Sequence, residues 1–269
     1  MIDKSLFICY STPNYSEMTN VFLNSLHDIK ANNINHMIDD KAPVAIDESC
    51  PWSGLSVGRS DLWYYCVRNK INRLITVLQD YNSLRNIKYF IFTDCDVIYI
   101  KKNVHEWYNL ENYIQNTNKD IYFIIENWIN HGLFVDGGPE QRFGVNSGFY
   151  VIKNNENITN IINFFVEVLQ VMDTTEKAEM PLGDQSIINN LKNKINYGFI
   201  PNDYVVYGDH IFNINKSLFH HAVGCSDKMI QINKIKSAFA ITIPIPTPNP
   251  TPSLKTEIPM WPPVSRKRL

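Results

Sequence analysis

The stretch Lys88–Ile100 reads K-Y-F-I-F-T-D-C-D-V-I-Y-I, an apolar run that ends on two carboxylates one residue apart, Asp94 and Asp96. Carboxylates at i and i+2 near a strand end can share one hard divalent cation, or one can hold the metal while the other holds a ribose. A D-x-D pair by itself arises about once by chance in a chain of ordinary composition. This one stands out because it terminates the most apolar run of the first hundred residues. A second stretch, Q-R-F-G-V-N-S-G-F-Y-V-I-K, leads a Gly/Asn/Ser turn into an apolar strand. Gly144 and Gly148 there permit close backbone approach, and Asn146 offers both a donor and an acceptor to a sugar hydroxyl. In a third, P-L-G-D-Q-S-I-I-N-N-L, Asp184 can cap a helix or, with Gln185, present a carboxylate and an amide to a substrate. In the fourth, S-L-F-H-H-A-V-G-C-S-D-K, His220 and His221 point opposite ways if extended, so one can be buried while the other reaches a metal. Lys228, further along, can meet a phosphate as a point charge.

These groups need elements to carry them. Short β-rich runs at Leu6–Tyr10, Ala42–Ile46, Tyr89–Thr93, Ile121–Ile125, Phe149–Ile152 and Tyr204–Tyr207 alternate with helical patterns. Helices are expected over Ser16–Asn33, from Ser60 or Asp61 to about Asp80, after a cap at Asn157, and over Asp184–Lys194. The alternation predicts an α/β fold, a mostly parallel sheet covered by helices on both faces. Ligands in such sheets bind at the carboxyl edge of the strands, where Asp94 and Asp96 fall. A Pro-rich tail, residues 240–269, contains I-P-I-P-T-P-N-P-T-P and favours polyproline II, as a spacer, an arm across the domain or a docking ligand.

The chain has 269 residues, 44% hydrophobic and 19% charged, which excludes global disorder. A formal charge of −2 argues against nucleic acid as partner. The five cysteines, at positions 9, 50, 66, 95 and 225, form no C-x-x-C pair, so neither a disulfide framework nor a zinc ribbon is expected. No signal peptide and no apolar window of membrane-spanning length is visible. The expected compartment is the cytoplasm, of a bacterium or of a host cell if the protein is viral.

Taken in order, D-C-D, V-N-S-G-F, G-D-Q-S-I-I-N and H-H-A-V-G-C resemble the motifs of the nucleotide-diphosphosugar transferases of the GT-A fold, over roughly residues 5 to 230. H-A-V-G-C is similar to the H-F-x-G-C of plant xyloglucan and galactomannan transferases. Arg68, Lys70 and Arg73 occupy the place of the basic residues that these enzymes carry ahead of the D-x-D strand. The resemblance implies a single Rossmann-like GT-A domain, residues 1–239, that moves a sugar from a nucleoside-diphosphate sugar, UDP favoured, to a glycan or other hydroxyl acceptor. It implies a Mn²⁺ or Mg²⁺ ion held by Asp96, with Asp94 and His221, and His220 as fallback. Lys228 would touch the diphosphate. Tyr10, Ser11 and Thr12 would hold the nucleoside, with Lys70, Arg73, Asp94 and Asn146 also on the donor. Asp184 and Gln185 would be the catalytic residues, Asp184 facing the donor sugar with Asn146 and Gln185 close to the reacting carbon. The relatives are mostly retaining. Cys95, between the two aspartates, departs from the commoner small or hydroxyl residue and is expected to point inward.

Two rival readings remain at this stage. A haloacid-dehalogenase-type phosphatase also places D-x-D after an apolar strand, but on its first strand, and Gly183-Asp184 and Gly208-Asp209 lack the second Asp such enzymes carry. A non-catalytic sugar-nucleotide or glycan-binding module would keep the fold without turnover. Trp52, Trp63, Trp107 or Trp128 could stack on an acceptor sugar; Trp128, with Glu126 and His131 nearby, is the best placed.

Overall fold

The computed structural model describes residues 1–40, 61–84, 86–127, 143–176, 183–223 and 227–240. The strand expected at Ala42–Ile46, Trp52, Trp128, His131 and the tail from 241 lie outside the described residues.

The chain order is β1 (Ser5–Ser11), α1 (Ser16–Asp28), β2 (Ile34–Ile38), α2 (Asp61–Tyr81), β3 (Tyr89–Asp94), β4 (Val97–Tyr99), α3 (Glu106–Asn116), β5 (Ile121–Asn127), β6 (Phe143–Lys153), α4 (Ile158–Thr174), α5 (Asp184–Leu191), β7 (Tyr197–Phe199), β8 (Val205–Tyr207), β9 (His210–Ile211), β10 (Phe219–His221) and α6 (Lys228–Ala240). The main sheet runs β2-β1-β3-β6-β5-β7. β2, β1 and β3 are parallel, as are β5 and β7; β6 alone runs antiparallel, to both β3 and β5. The sheet is therefore mostly parallel, as the alternation predicts.

β3 reads as a continuous apolar run because both of its faces are buried. Phe90 and Phe92 face a cluster built with α2 and α4, including Ile71, Leu74, Phe165 and Val168. Tyr89 and Ile91 face the opposite cluster, with Phe22 and Leu26 of α1 and Trp107 of α3. Trp107 is thus core. Trp63 packs against the Gly183 turn.

Two sequence expectations change. The first helix stops at Asp28 rather than Asn33. Lys30 turns left-handed (φ 61°), and the Ala31 N–H closes back on the Leu26 carbonyl at 3.0 Å, the geometry of a helix C-cap. Asn157 makes no side-chain cap bond; its amide donates to Asp120 at 3.1 Å.

A second sheet, β4-β10-β8-β9, was not expected; of its strands only β8 was, as the run Tyr204–Tyr207. It is made of strands of two or three residues and sits just past the end of β3. Its register decides the site. β10 pairs antiparallel with β4 so that His221 lies opposite Val97, and the Ala222 N–H donates to the Asp96 carbonyl at 3.0 Å. This pairing brings His221 to the D-x-D turn although the two are far apart in the chain.

Candidate active site

Asp94 ends β3, Asp96 stands in the turn to β4, and His221 ends β10. One ligand atom from each lies within 4.8 Å of the other two. His221 Nε2 is 3.4 Å from Asp96 Oδ1, a buried oxygen that accepts no hydrogen bond. Two carboxylates and one imidazole suit a divalent ion that takes oxygen and nitrogen ligands. The donor set and the orphaned oxygen therefore fit a divalent cation. His220 points away, its Nε2–H donating to the Gly208 carbonyl at 3.0 Å. Burial pushes the His220 pKa down to about 4, so the ring stays neutral.

The floor of the triad is Gly148. A Cβ there would lie 2.3 Å from His221 Cε1, 2.7 Å from its Nε2 and 3.0 Å from Asp94 Oδ2. β6 reaches this position through a bulge: its pairing with β5 passes from Phe123↔Tyr150 directly to Ile124↔Asn146, leaving Ser147, Gly148 and Phe149 without partners on β5. A bulge of this kind re-aims the strand toward a site. Its amides are satisfied by side chains. Gly148 N–H donates to Asn146 Oδ1 (2.8 Å) and Ser147 N–H to Gln185 Oε1 (3.2 Å).

Of the two readings left open for Asp184, a helix cap or a carboxylate presented to a substrate, the cap does not hold. Gly183 (φ 57°) occupies the cap position, and Asp184 is the first helical residue, 2% exposed. Its carboxylate accepts from Ser147 Oγ (3.2 Å) and lies 2.9 Å from Lys70 Nζ. Lys70 also lies 3.4 Å from Asp94 Oδ1 and over the Phe92 ring. Burial would lower its pKa, but the flanking Asp184 and Asp94 outweigh burial and hold it above the ordinary lysine value. Asp94 is raised by burial, with the Asp96 charge adding and Lys70 opposing. Asp96 goes the other way: burial would raise it, yet Lys228 and His221 hold it well below the usual carboxylate range. Lys228, the first residue of α6, is ion-paired with Asp96 Oδ2. Cys95 points inward as expected, 9% exposed, and burial beside the two aspartates pushes its pKa up to about 12.

The remaining expected residues are placed as follows. Tyr10 OH donates to Asp39 Oδ2 (2.7 Å), Ser11 Oγ bonds His36 Nε2 (2.8 Å), and the buried Thr12 hydroxyl has no hydrogen-bond partner. Arg73 donates to Asn35 Oδ1 on β2 (2.7 Å), and Arg68 makes a two-pronged ion pair with Asp173 on the surface. Of the three basic residues on α2, Lys70 is the one that pairs with a D-x-D carboxylate, whereas Arg68 and Arg73 bond Asp173 and Asn35.

Two further residues emerge: Glu126, noted in the sequence only as a neighbour of Trp128, and Tyr207, which no motif singled out. Glu126 Oε2, near the end of β5, accepts from Tyr207 OH (2.5 Å), Asn146 Nδ2 (2.6 Å) and Gln185 Nε2 (3.4 Å). Tyr207 lies opposite His221 in the small sheet and packs edge-on against its ring, with centroids 5.8 Å apart. Burial and the Glu126 charge raise the Tyr207 pKa, so it remains a donor. Glu126 carried a usable signal, a carboxylate ending an apolar strand at the same sheet edge as Asp94. Tyr207 carried none without the register of β8.

No protein-family model matches the sequence, and a search of curated proteins found no match. Solved structures do match. A glycosyltransferase involved in the glycosylation of the major capsid of PBCV-1 aligns over 86% of this chain and 99% of its own, with 12% identity and a TM-score of 0.53. The bifunctional glycosyltransferase WbbM aligns over 84% and 47% of the two chains, with 13% identity and a TM-score of 0.48. GlyE of Streptococcus pneumoniae TIGR4 aligns over 87% and 64%, with 13% identity and a TM-score of 0.47. At these identities the likeness is one of fold. The alignment with the first of these runs along nearly all of that protein, so this chain shares its fold.

Proposed function

We propose that the protein is a metal-dependent glycosyltransferase that moves a sugar from a nucleoside-diphosphate sugar, with UDP as the favoured nucleotide, to a hydroxyl of a glycan acceptor, with retention of configuration. The observation that supports this most directly is the convergence of Asp94, Asp96 and His221 at the carboxyl edge of the sheet, with Lys228 beside them. In this reading the triad holds Mn²⁺ or Mg²⁺, which when bound supplies Lewis-acid stabilisation to the departing diphosphate.

The chain's own residues do the rest. Lys228, partly exposed at the rim, meets the diphosphate as a point charge. Tyr10 and Ser11 end the first strand, Thr12 follows it, and the three hold the nucleoside; the unpartnered Thr12 hydroxyl supports that placement. Lys70 neutralises Asp94 and Asp184 together, so neither is a free carboxylate base, as an inverting course needs, or a free nucleophile. That favours a retaining course in which the leaving phosphate takes the acceptor proton. Asn146 and Gln185 fix the bulge that shapes the donor-sugar end of the site, and Glu126 gathers both amides. A phosphatase that uses Asp94 as its nucleophile fits less well, because such enzymes carry D-x-D on their first strand and Asp94 ends β3. No helix among the described residues is long and apolar enough to cross a membrane.

The test is a thermal-shift panel of UDP, GDP, CDP and ADP, each with Mn²⁺ and with EDTA, on wild type and Asp96→Asn. A ligand at about 100 times its Kd adds roughly 2.7 kcal/mol to stability. A metal-dependent shift with one nucleotide, lost in the variant, is expected. A cooperative melt that no nucleotide moves overturns the proposal. The anomer first formed from the responding sugar nucleotide, read by proton NMR, decides retention.

A further inference from the structure

The two aspartates of the D-x-D turn are each paired with a lysine, and the two lysines differ. Lys70 is enclosed: its side chain is 10% exposed, and it is shared between Asp94 and the deeply buried Asp184. It has nowhere else to go. Lys228 is 29% exposed at the start of α6 and is ion-paired with Asp96 Oδ2. A cation in the first turn of a helix is unfavourably placed against the helix dipole. Among the described residues Asp96 is its acidic partner, and Asp96 is also the triad member whose other oxygen accepts no hydrogen bond.

We infer that Lys228 is a built-in competitor for the cation at Asp96, so that the site selects a cation already joined to a diphosphate over the bare ion. This rests on the metal and diphosphate reading above. A divalent ion among Asp94, Asp96 and His221 would put two like-signed cations on one carboxylate. Lys228 has to leave Asp96 for the ion to be held well. In water it leaves at a cost, because it loses a buried counter-ion. With a diphosphate present it leaves for an anion of higher charge. Bare cation therefore binds weakly, and cation and diphosphate strengthen one another's binding. By linkage that strengthening is reciprocal. Lys70 cannot play this part, since its withdrawal would strand the buried Asp184 and the partly buried Asp94 together.

The experiment is a titration of Mn²⁺ into the protein, followed by the EPR signal of free aqueous Mn²⁺, with and without inorganic pyrophosphate or UDP. The proteins are wild type, Lys228→Met, Lys228→Gln and, as control on the same helix, Lys234→Met, whose partner is the exposed Asp209. Melting curves show which variants fold, and Lys228→Gln serves if Lys228→Met does not. The expected result is that removing the Lys228 charge tightens Mn²⁺ binding in the absence of phosphates by about tenfold or more, within the usual range of coupling between sites. The tightening that pyrophosphate brings in wild type should shrink in the same variant, and Lys234→Met should behave as wild type. Equal or weaker Mn²⁺ binding by the Lys228 variants overturns the inference while leaving the metal site standing. Failure of every protein to bind Mn²⁺, even with UDP, overturns the inference together with the metal reading beneath it.

Discussion

Replacing Gly148 with alanine adds a single methyl group at the floor of the triad and removes no ligand. The added Cβ would lie 2.3 Å from His221 Cε1 and 3.0 Å from Asp94 Oδ2. Ordinary carbon contacts sit at about 3.5–4.0 Å, so the imidazole must retreat by about 1 Å or the bulge must move back by as much. The bulge is tied by Asn146 and Gln185 at its two amides, and the His221 ring is backed by Tyr207. Neither side gives freely. Overpacking of this kind costs about 1–3 kcal/mol, which for a domain of this size lowers Tm by roughly 2–10 °C. The larger effect is on the ligands. A displacement of about 1 Å at a catalytic group costs on the order of 100-fold in rate. Gly148→Ala should therefore fold, melt slightly early, and lose most of its Mn²⁺ affinity, read by the same EPR titration. Wild-type Mn²⁺ affinity in a folded Gly148→Ala protein would refute the claim that this glycine lets the triad close.

Two further outcomes follow from the buried ion pairs. Lys70→Met keeps the stem over Phe92 and leaves Asp94 and Asp184 facing each other without a counter-ion. Stranding buried charge in this way costs about 3–5 kcal/mol, and urea denaturation should show it; a loss under about 1 kcal/mol would mean the pairs are not structural. Glu111, almost fully buried, lies 2.5 Å from the Met1 amino group and 3.2 Å from Lys4 Nζ. Burial alone would raise its pKa, but these two cations bring it below the ordinary glutamate value. A depressed folded pKa contributes stability that is present above the unfolded value of about 4.3 and is lost as pH falls through the folded one. The stability difference between wild type and Glu111→Gln should be flat above about pH 5.5 and shrink below it. A difference that stays constant down to pH 3 would contradict this.

The parts of the fold that were legible in the sequence are those with enough residues to show a period or an unbroken apolar run. α2 and α4 repeat their apolar positions over several turns, and β3 is apolar on both faces because helices cover both. The turn that ends β3 then announces Asp94 and Asp96, since a carboxylate pair at the end of a buried strand has no packing reason to be there. α1 was overrun because the residue that stops it, Lys30, is not one of the usual left-handed types. β2 was missed because I-N-H-M-I is a half-buried edge strand with polar residues inside it.

The amino-acid sequence alone determined the kind of fold, the edge of the sheet where chemistry would sit, and the residue types available there. Only the tertiary structure decided how those residues are used. Strands of two or three residues have no period to read, so the small sheet that brings His221 to Asp96 exists only through its long-range pairing. The same holds for side chains whose partners are distant in the chain. Lys70 joins Asp94 to Asp184, Lys228 covers Asp96, and Asn146 and Gln185 turn their amides to a bulge and to Glu126. A motif names a group that can ligate or donate. Which of its neighbours it meets is set by strand register and helix placement, and those are properties of the packed chain.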